Sequence, residues 1–290
     1  MIRFAFVVAT RNRHDELMRF VESLRKQKGA DVAVLVVVDQ SEPEIAEKNK
    51  TALGFVTDIP ILYARDEGLG PSRARNLGLQ LIYEKISAAQ EPVFIAFPDD
   101  DCVYPEGLLE GVLRLIKTHP SSDFFALPYG DETGIAPRFP KIPQYINLWN
   151  ALPVTSAVGL FVKASALVDM FFDEKIGPGT DVPGGEETDL VIRLLARGRR
   201  GVYDPTQVVY HKVNRKNTTD FSIKVAREMA NAYVIARAAR NLPSLALRLR
   251  LAARLVKDLL RWLFGDATSK LIVVKRLEGY RWGWRERLPR

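Results

Sequence analysis

Cysteine, histidine and long apolar runs are scarce in this chain of 290 residues. The single cysteine, Cys102, excludes an internal disulfide and a cysteine-rich zinc site, and we expect its thiol to pack rather than to react. A reducing cytoplasm is therefore the expected compartment. No apolar run reaches the roughly 20 residues of a membrane-spanning helix. The apolar segment at residues 4–9 is too short for a secretory signal, so we expect none.

Two phosphate-binding glycine motifs are also missing. No G-x-G-x-x-G follows the first apolar run, and no G-x-x-x-x-G-K-[ST] occurs anywhere, which argues against dinucleotide and P-loop sites.

Short apolar runs at residues 4–9, 32–38, 61–64 and 93–97 predict buried strands. Helical spacing at residues 14–27 and 72–86 predicts helices between them. This alternation is typical of an α/β fold with a mostly parallel sheet covered by helices.

Positive charge is concentrated at the C-terminal end. Residues 221–290 hold 16 Lys and Arg against 5 Asp and Glu, a balance of +11, whereas residues 1–220 hold 26 against 30, a balance of −4. This division predicts a mildly acidic body joined to a segment that meets an anionic partner, either membrane lipid or nucleic acid.

Three consecutive carboxylates, Asp99, Asp100 and Asp101, follow the strand predicted at residues 93–97. Such a triplet repels itself unless a cation lies between its members, and a divalent metal is the common solution. The alternative is an acidic turn, or the cap of a helix that starts near Pro105. The triplet alone does not decide between these interpretations.

Polar residues also follow the first two predicted strands. They are Thr10-Arg11-Asn12-Arg13 and Asp39-Gln40-Ser41. Ligands of open α/β sheets bind beyond the carboxyl ends of the strands, so Asp39 is a candidate for a base or ribose. Arg11, Arg73 and Arg75 are candidates for phosphates. Each residue taken alone is better explained as part of a solvated loop or as a cap, but together they favour a nucleotide.

Six motifs, in order, resemble family-two glycosyltransferases of the GT-A fold, and the resemblance covers roughly residues 1–215. The motifs are Thr10-Arg11-Asn12-Arg13, Val37-Val38-Asp39-Gln40-Ser41, Gly70-Pro71-Ser72-Arg73-Ala74-Arg75-Asn76-Leu77-Gly78, Phe97-Pro98-Asp99-Asp100-Asp101, Gly184-Gly185-Glu186-Glu187-Thr188-Asp189-Leu190 and Tyr203-Asp204-Pro205 with Val208-Val209-Tyr210-His211. Each motif alone is weak, whereas the ordered set is specific.

The resemblance implies a GT-A domain at residues 1–217, with a donor half at about 1–102 and an acceptor half at about 103–217. It implies inverting transfer from a nucleotide-diphosphate sugar, with Mg²⁺ or Mn²⁺ held by Asp101, Asp99 and His211. A hydrogen-bonded core histidine is the alternative for His211. The expected donor-binding residues are Thr10, Arg11, Asn12, Asp39, Ser41, Asp66, Arg73, Arg75, Asn76, Asp99 and Asp100.

The resemblance places the catalytic base in Gly185-Glu186-Glu187. Family members commonly carry Glu-Asp here, with the second carboxylate as base, so we favour Glu187 while Glu186 stays open. Acids in the first turn of a helix are also explained by the helix dipole. Gly185 and Asp189 are expected on the acceptor side, where Asp189 is equally explained as a helix-start acid.

The basic segment, residues 218–290, contains an amphipathic helix predicted at 244–264. Its leucines share one face, and Arg250, Arg254, Lys257 and Arg261 share the opposite one. This pattern fits a helix lying on an anionic membrane surface, which would suit a lipid-linked or polysaccharide acceptor and a peripheral position on the inner face of the membrane. Packing on the body, or against a second copy in a homo-oligomer, is the alternative.

Two other function classes each fit part of this sequence. A nucleotidyltransferase also uses paired carboxylates, but it is expected to carry a glycine-rich, lysine-containing segment near the N-terminus, which residues 10–13 lack. A noncatalytic nucleic-acid-binding protein would explain the basic segment but not the acidic triplet, so a nucleic-acid partner is not expected.

Overall fold

The computed structural model describes residues 1–86, 92–213 and 221–288. Its strands are β1 (Arg3–Thr10), β2 (Asp31–Asp39), β3 (Ile61–Arg65), β4 (Val93–Ala96), β5 (Phe124–Ala126), β6 (Tyr129–Asp131), β7 (Gly134–Ile135), β8 (Gln144–Ile146), β9 (Leu160–Lys163), β10 (Gly201–Tyr203) and β11 (Val209–Tyr210). Its α-helices are α1 (His14–Arg25), α2 (Pro43–Gly54), α3 (Pro71–Ile86), α4 (Leu108–Thr118), α5 (Ala151–Val154), α6 (Glu186–Ala196), α7 (Phe221–Asn241), α8 (Leu245–Phe264) and α9 (Ala267–Arg285).

One large sheet organises the body, with the strand order β3-β2-β1-β4-β9-β5-β10-β8. Strands β3, β2, β1 and β4 are parallel to one another, whereas β9 runs antiparallel to both β4 and β5. A smaller sheet pairs β11, β6 and β7. The predicted α/β class with a largely parallel sheet and helical layers is confirmed. The part of the large sheet that mixes parallel and antiparallel strands begins at β9.

The parallel strands are buried on both faces, as their unbroken apolar sequences predict. Residues of β1 and β2 contribute to two apolar clusters, one on each side of the sheet. Helix α3 packs on one side and α1 and α4 pack on the other. At the carboxyl edge Thr10 pairs with Asp39, and Ala9 forms a bridge with Asp99. The sheet therefore brings three motifs distant in sequence to one edge.

Helix α7 is part of the body rather than an independent tail. Ala230, Tyr233 and Val234 belong to the same apolar cluster as the sheet. Helix α9 lies against α7 through Gly279 and Gly283, where a Cβ atom would collide with α7 backbone carbonyls. The proposed boundary at residues 217 and 218 lies outside the described residues. Within the described ranges, no helix is long and apolar enough to cross a membrane.

Candidate active site

The three aspartates after β4 have different surroundings. Asp100 is buried and accepts hydrogen bonds from Thr10 Oγ1 at 2.8 Å and Arg13 Nη1 at 3.1 Å. Its neighbours in the sequence are more accessible: the Asp99 side chain is 41% exposed, and Asp101 is partly exposed between Arg13 and His211. Burial raises the pKa of Asp100, whereas the hydrogen bond from His211 lowers the pKa of Asp101. The outer two carboxylates are thus the ones available to a ligand.

His211 lies beside these two carboxylates, although it is more than 100 residues away in sequence. Its Nε2 atom is 3.1 Å from Asp101 Oδ1 and 3.9 Å from Asp99 Oδ2. Its Nδ1 atom is buried and has no hydrogen-bond partner among the described residues. Burial opposes protonation, but the hydrogen bond and charge of Asp101 prevail and raise the pKa of His211.

These side chains form a donor set that fits Mg²⁺ or Mn²⁺. Two carboxylates supply hard oxygen ligands, and an imidazole beside them is compatible with Mn²⁺. The Cys102 thiol also lies within 4.8 Å of the ligand atoms of Asp101 and His211. Burial raises the pKa of this thiol well above its ordinary value, so it stays protonated and is a poor ligand. Its packing role, predicted from the sequence, agrees with its complete burial.

Asp39 lies at the end of β2 and is completely buried. Its carboxylate accepts from the backbone N–H of Ser41 at 2.8 Å, from Asn49 Nδ2 at 2.8 Å and from the Tyr63 hydroxyl at 3.0 Å. Ser41 Oγ in turn accepts from the backbone N–H of Asn12 at 2.8 Å. Sequence reasoning missed Asn49 and Tyr63, because nothing local marks a helix or strand residue whose partner lies on another element.

Asp66 directly follows β3 and lies at the same carboxyl edge of the sheet as Asp39. It accepts from Gln40 Nε2 at 2.8 Å, from the backbone N–H of Gly68 at 3.0 Å and from Arg73 Nε at 3.1 Å. Burial opposes ionisation, but these donors lower the pKa of Asp66. Arg11 is exposed in the loop after β1. The structure therefore gathers Asp39, Asp66 and Arg73 near the carboxyl ends of β2 and β3.

Arg75 joins the acidic triplet to the start of α6. Its buried guanidinium donates to Asp99 Oδ1 at 2.9 Å and to Glu186 Oε1 at 3.1 Å. Asn76, in contrast, does not join the cluster. Its side chain donates to the Phe172 carbonyl and to Glu174, and it accepts from the Phe172 backbone N–H. These contacts anchor the chain at residues 172–174 and leave the amide little capacity for a donor ligand.

Glu186 and Glu187 begin α6 after Gly185, which has a left-handed φ of 89°. Glu186 is buried against Arg75, whereas Glu187 is partly buried and forms no salt bridge among the described residues. Burial, followed by the charge of Glu186, raises the pKa of Glu187 to about 7, although Arg138, the hydrogen bond from its own backbone N–H and Arg75 act in the opposite direction. A carboxylate with a pKa near neutrality is suited to accept a proton.

Asp189 was expected on the acceptor side, but the structure buries it. Its two carboxylate oxygens accept from Arg193 Nε at 2.9 Å and from Arg237 Nη2 at 2.5 Å. Arg237 lies on α7 and also donates to Asp173. With its side chain 1% exposed, Asp189 ties α6 to α7 and does not reach the cleft. These contacts favour the alternative interpretation of Asp189 as a structural acid at the start of α6, and its contact with the acceptor stays a prediction.

Arg138 is another residue of this site that sequence reasoning missed. Its guanidinium lies 4.2 Å from the ring centroid of Phe139 and 5.5 Å from that of Tyr129, and Tyr129 in turn packs edge-on against His211. It donates to the backbone carbonyl of Thr155. Within the described ranges it forms no salt bridge, but its charge acts on Glu187, where it opposes the rise in pKa.

Comparisons with known proteins point in one direction. The sequence model of glycosyl transferase family 2 matches residues 5–160, which include Asp39 and the acidic triplet. A pre-mycofactocin glycosyltransferase of Mycobacterium tuberculosis is 28% identical over 223 residues. That match spans 71% of this chain but only 42% of the relative's length.

Solved structures share the fold over nearly the whole chain. TarS 1–349 of S. aureus in complex with UDP-GlcNAc has a TM-score of 0.64 and 16% identity, covering 99% of this chain and 82% of that one. A mannosyltransferase of Pyrobaculum calidifontis in complex with GDP-Man and Mn²⁺ has a TM-score of 0.60 and 14% identity, covering 97% and 84%.

Proposed function

Because this chain belongs to glycosyl transferase family 2, we propose that it transfers a sugar, with inversion, from a nucleotide-diphosphate sugar to a hydroxyl acceptor. The observation that carries this proposal is Glu187, whose pKa lies near neutrality, next to the Arg75 bridge that reaches Asp99. The buried side chain of Arg75 thereby connects the start of α6, where the proposed base lies, with the acidic residues of the proposed nucleotide-sugar site. Structures that share the fold are complexes with UDP-GlcNAc and GDP-Man, which supports a donor of the same chemical class.

Asp99, Asp101 and His211 are the residues that would hold a divalent cation. When bound, Mg²⁺ or Mn²⁺ supplies Lewis-acid stabilisation of the negative charge on the departing diphosphate. The Mn²⁺ complex of the mannosyltransferase supports this choice of metal. Asp100 keeps the triplet in place through Thr10 and Arg13.

In the proposed reaction Glu187 takes the proton of the acceptor hydroxyl. The acceptor oxygen forms its bond to the anomeric carbon while the bond from that carbon to the diphosphate oxygen breaks. The nucleoside diphosphate leaves with the bonding electron pair, and no covalent enzyme intermediate is needed. Arg75 holds Glu186 as a charged neighbour, which helps to keep the pKa of Glu187 near the working pH.

We propose a lipid-linked or polysaccharide glycan as the acceptor. A lipid-linked acceptor requires an enzyme that works at a membrane surface. This requirement agrees with a peripheral position on the inner face of the membrane. Arg138 is suited to an anionic group of the donor or acceptor, because it forms no salt bridge among the described residues and its charge acts on Glu187.

The test is product analysis after incubation of the protein with UDP, GDP, dTDP and CMP sugars, a divalent metal and a membrane lipid extract. We expect one donor to yield its free nucleoside diphosphate together with a glycosylated product of inverted anomeric configuration. Release of pyrophosphate would instead indicate nucleotidyl transfer. A product with retained configuration would refute the role given to Glu187.

A further inference from the structure

Helix α8 packs with its apolar face outward. Seven large apolar side chains along it are between 52% and 83% exposed, whereas its single acidic residue, Asp258, is 1% exposed. The seven are Leu245, Leu249, Val256, Leu259, Leu260, Leu263 and Phe264. A surface helix of a globular protein normally turns its apolar stripe toward the core. The opposite orientation leaves a continuous apolar surface, here called the outer face of α8, without cover from the described chain.

Polar contacts on the inner side fix this orientation. Asp258 accepts from Arg276 Nη1 at 2.5 Å and from the Tyr280 hydroxyl at 2.9 Å, both on α9. Arg276 also donates to Glu228 on α7 at 2.9 Å, and Arg254 lies 3.7 Å from the same carboxylate. Rotating α8 to bury its leucines would break this network and leave buried charges unpaired. The exposed leucines are therefore a consequence of specific contacts.

This network changes the interpretation of the basic face. Arg250 and Arg254 were expected to share a solvent-facing basic surface, but they point toward the body, where Arg250 donates to the Leu148 carbonyl at 3.1 Å. The exposed charged side chains of α8 are Arg248 and Lys257, and both are positive. The outer face thus combines apolar side chains with positive charge at its edges.

The apolar side chains and positive edges of the outer face of α8 distinguish between two partners, a second copy of the chain and an anionic lipid surface. A second copy docked face to face would bring like charges together, and α8 has no exposed acid to pair with them. An anionic lipid surface instead accepts the apolar side chains between its headgroups, while long basic side chains reach the phosphates. We propose that the outer face of α8 is a docking surface for an anionic lipid bilayer, with the helix lying in the plane of the interface.

The test is vesicle cosedimentation of the full chain with phosphatidylcholine alone and with added phosphatidylglycerol. We expect binding to the anionic vesicles that weakens at high salt. The triple variant Val256→Gln, Leu260→Gln, Leu263→Gln should lose about 100-fold in affinity, because three apolar side chains no longer leave water. All three positions are exposed, so the variant should unfold at the wild-type temperature.

A matched pair isolates the position of the apolar group. Phe264 and Phe55 are 83% and 81% exposed, but Phe55 lies at the end of α2. Phe264→Gln should weaken vesicle binding, whereas Phe55→Gln should leave it unchanged.

Several outcomes would overturn the proposal. These are no binding of the wild type to anionic vesicles, equal binding to neutral ones, or equal binding of the triple variant. A wild-type dimer that the triple variant dissociates, without vesicle binding, would assign the face to a second copy. The measurement needs no substrate, so it is independent of the proposed reaction.

Discussion

Replacing Glu187 with glutamine should reduce turnover and increase stability at alkaline pH. General-base catalysis typically contributes about 10²- to 10⁴-fold, so kcat should fall by that factor. The KM for the nucleotide sugar should stay nearly constant, since Arg75 and the acidic triplet are untouched. For wild type, a base with a pKa of about 7 is active in its deprotonated form. Below this value kcat/KM should therefore fall about tenfold per pH unit.

The effect on stability follows from the same pKa. Folding raises the pKa of Glu187 from 4.5 to about 7, so between these values the folded state holds a proton that the unfolded state releases. Stability from this site is full below pH 4.5 and is lost as the pH rises through 7. At about 1.4 kcal/mol per unit, Glu187→Gln should stabilise the protein by up to about 3 kcal/mol at pH 8. It should have little effect near pH 4.

The assay combines steady-state kinetics with urea unfolding at both pH values. Glu110→Gln is the control, because this carboxylate is exposed on α4, and it should change neither property. Turnover of Glu187→Gln within tenfold of wild type would refute the assignment of the base. Destabilisation of that variant at pH 8 would refute the electrostatic argument.

Three further substitutions test contacts around the site. Arg75→Lys keeps the charge but not the planar fork that reaches two carboxylates, so kcat should fall by about 10²-fold, measured by product release. Arg237→Met takes one of two buried partners from Asp189, which keeps Arg193, and also removes the partner of Asp173, so it should cost about 3–5 kcal/mol, measured by urea unfolding. Gly283→Ala forces a Cβ against α7 and should cost about 1–3 kcal/mol, whereas Gly54→Ala, with open space around it, should not lower the melting temperature.

The arrangement of the strand ends could be predicted from the sequence because parallel strands share one edge. Residues after β1, β2 and β4 had to lie close together once the alternation of strands and helices was recognised. The proximity of His211 to Asp101 followed only from the resemblance, since more than 100 residues separate them.

Long-range packing accounts for what the sequence did not predict. Thr10 donates to Asp100 and Asn12 accepts from the Glu42 backbone N–H, and both partners are distant in the sequence. The burial of Asp189 depends on the position of α7, which no local pattern reports. Helix α9 was missed because Gly279 and Gly283 weaken its helical signal, although they permit its contact with α7.

The spacing of the leucines on α8 predicted that they share one face, but it did not predict that this face points away from the body. Periodicity shows that apolar residues share a face and assumes that this face is buried. Here Asp258 and Arg276 determine which side faces inward, and they are paired across two helices.

The most direct test of the central claim is a thermal-shift measurement with UDP, GDP, dTDP and CMP, each with and without Mn²⁺ or Mg²⁺. We predict that one nucleotide raises the melting temperature only when metal is present, and that Asp101→Ala abolishes this increase. Equal stabilisation of wild type and Asp101→Ala, or stabilisation that does not need metal, would contradict the proposed donor site.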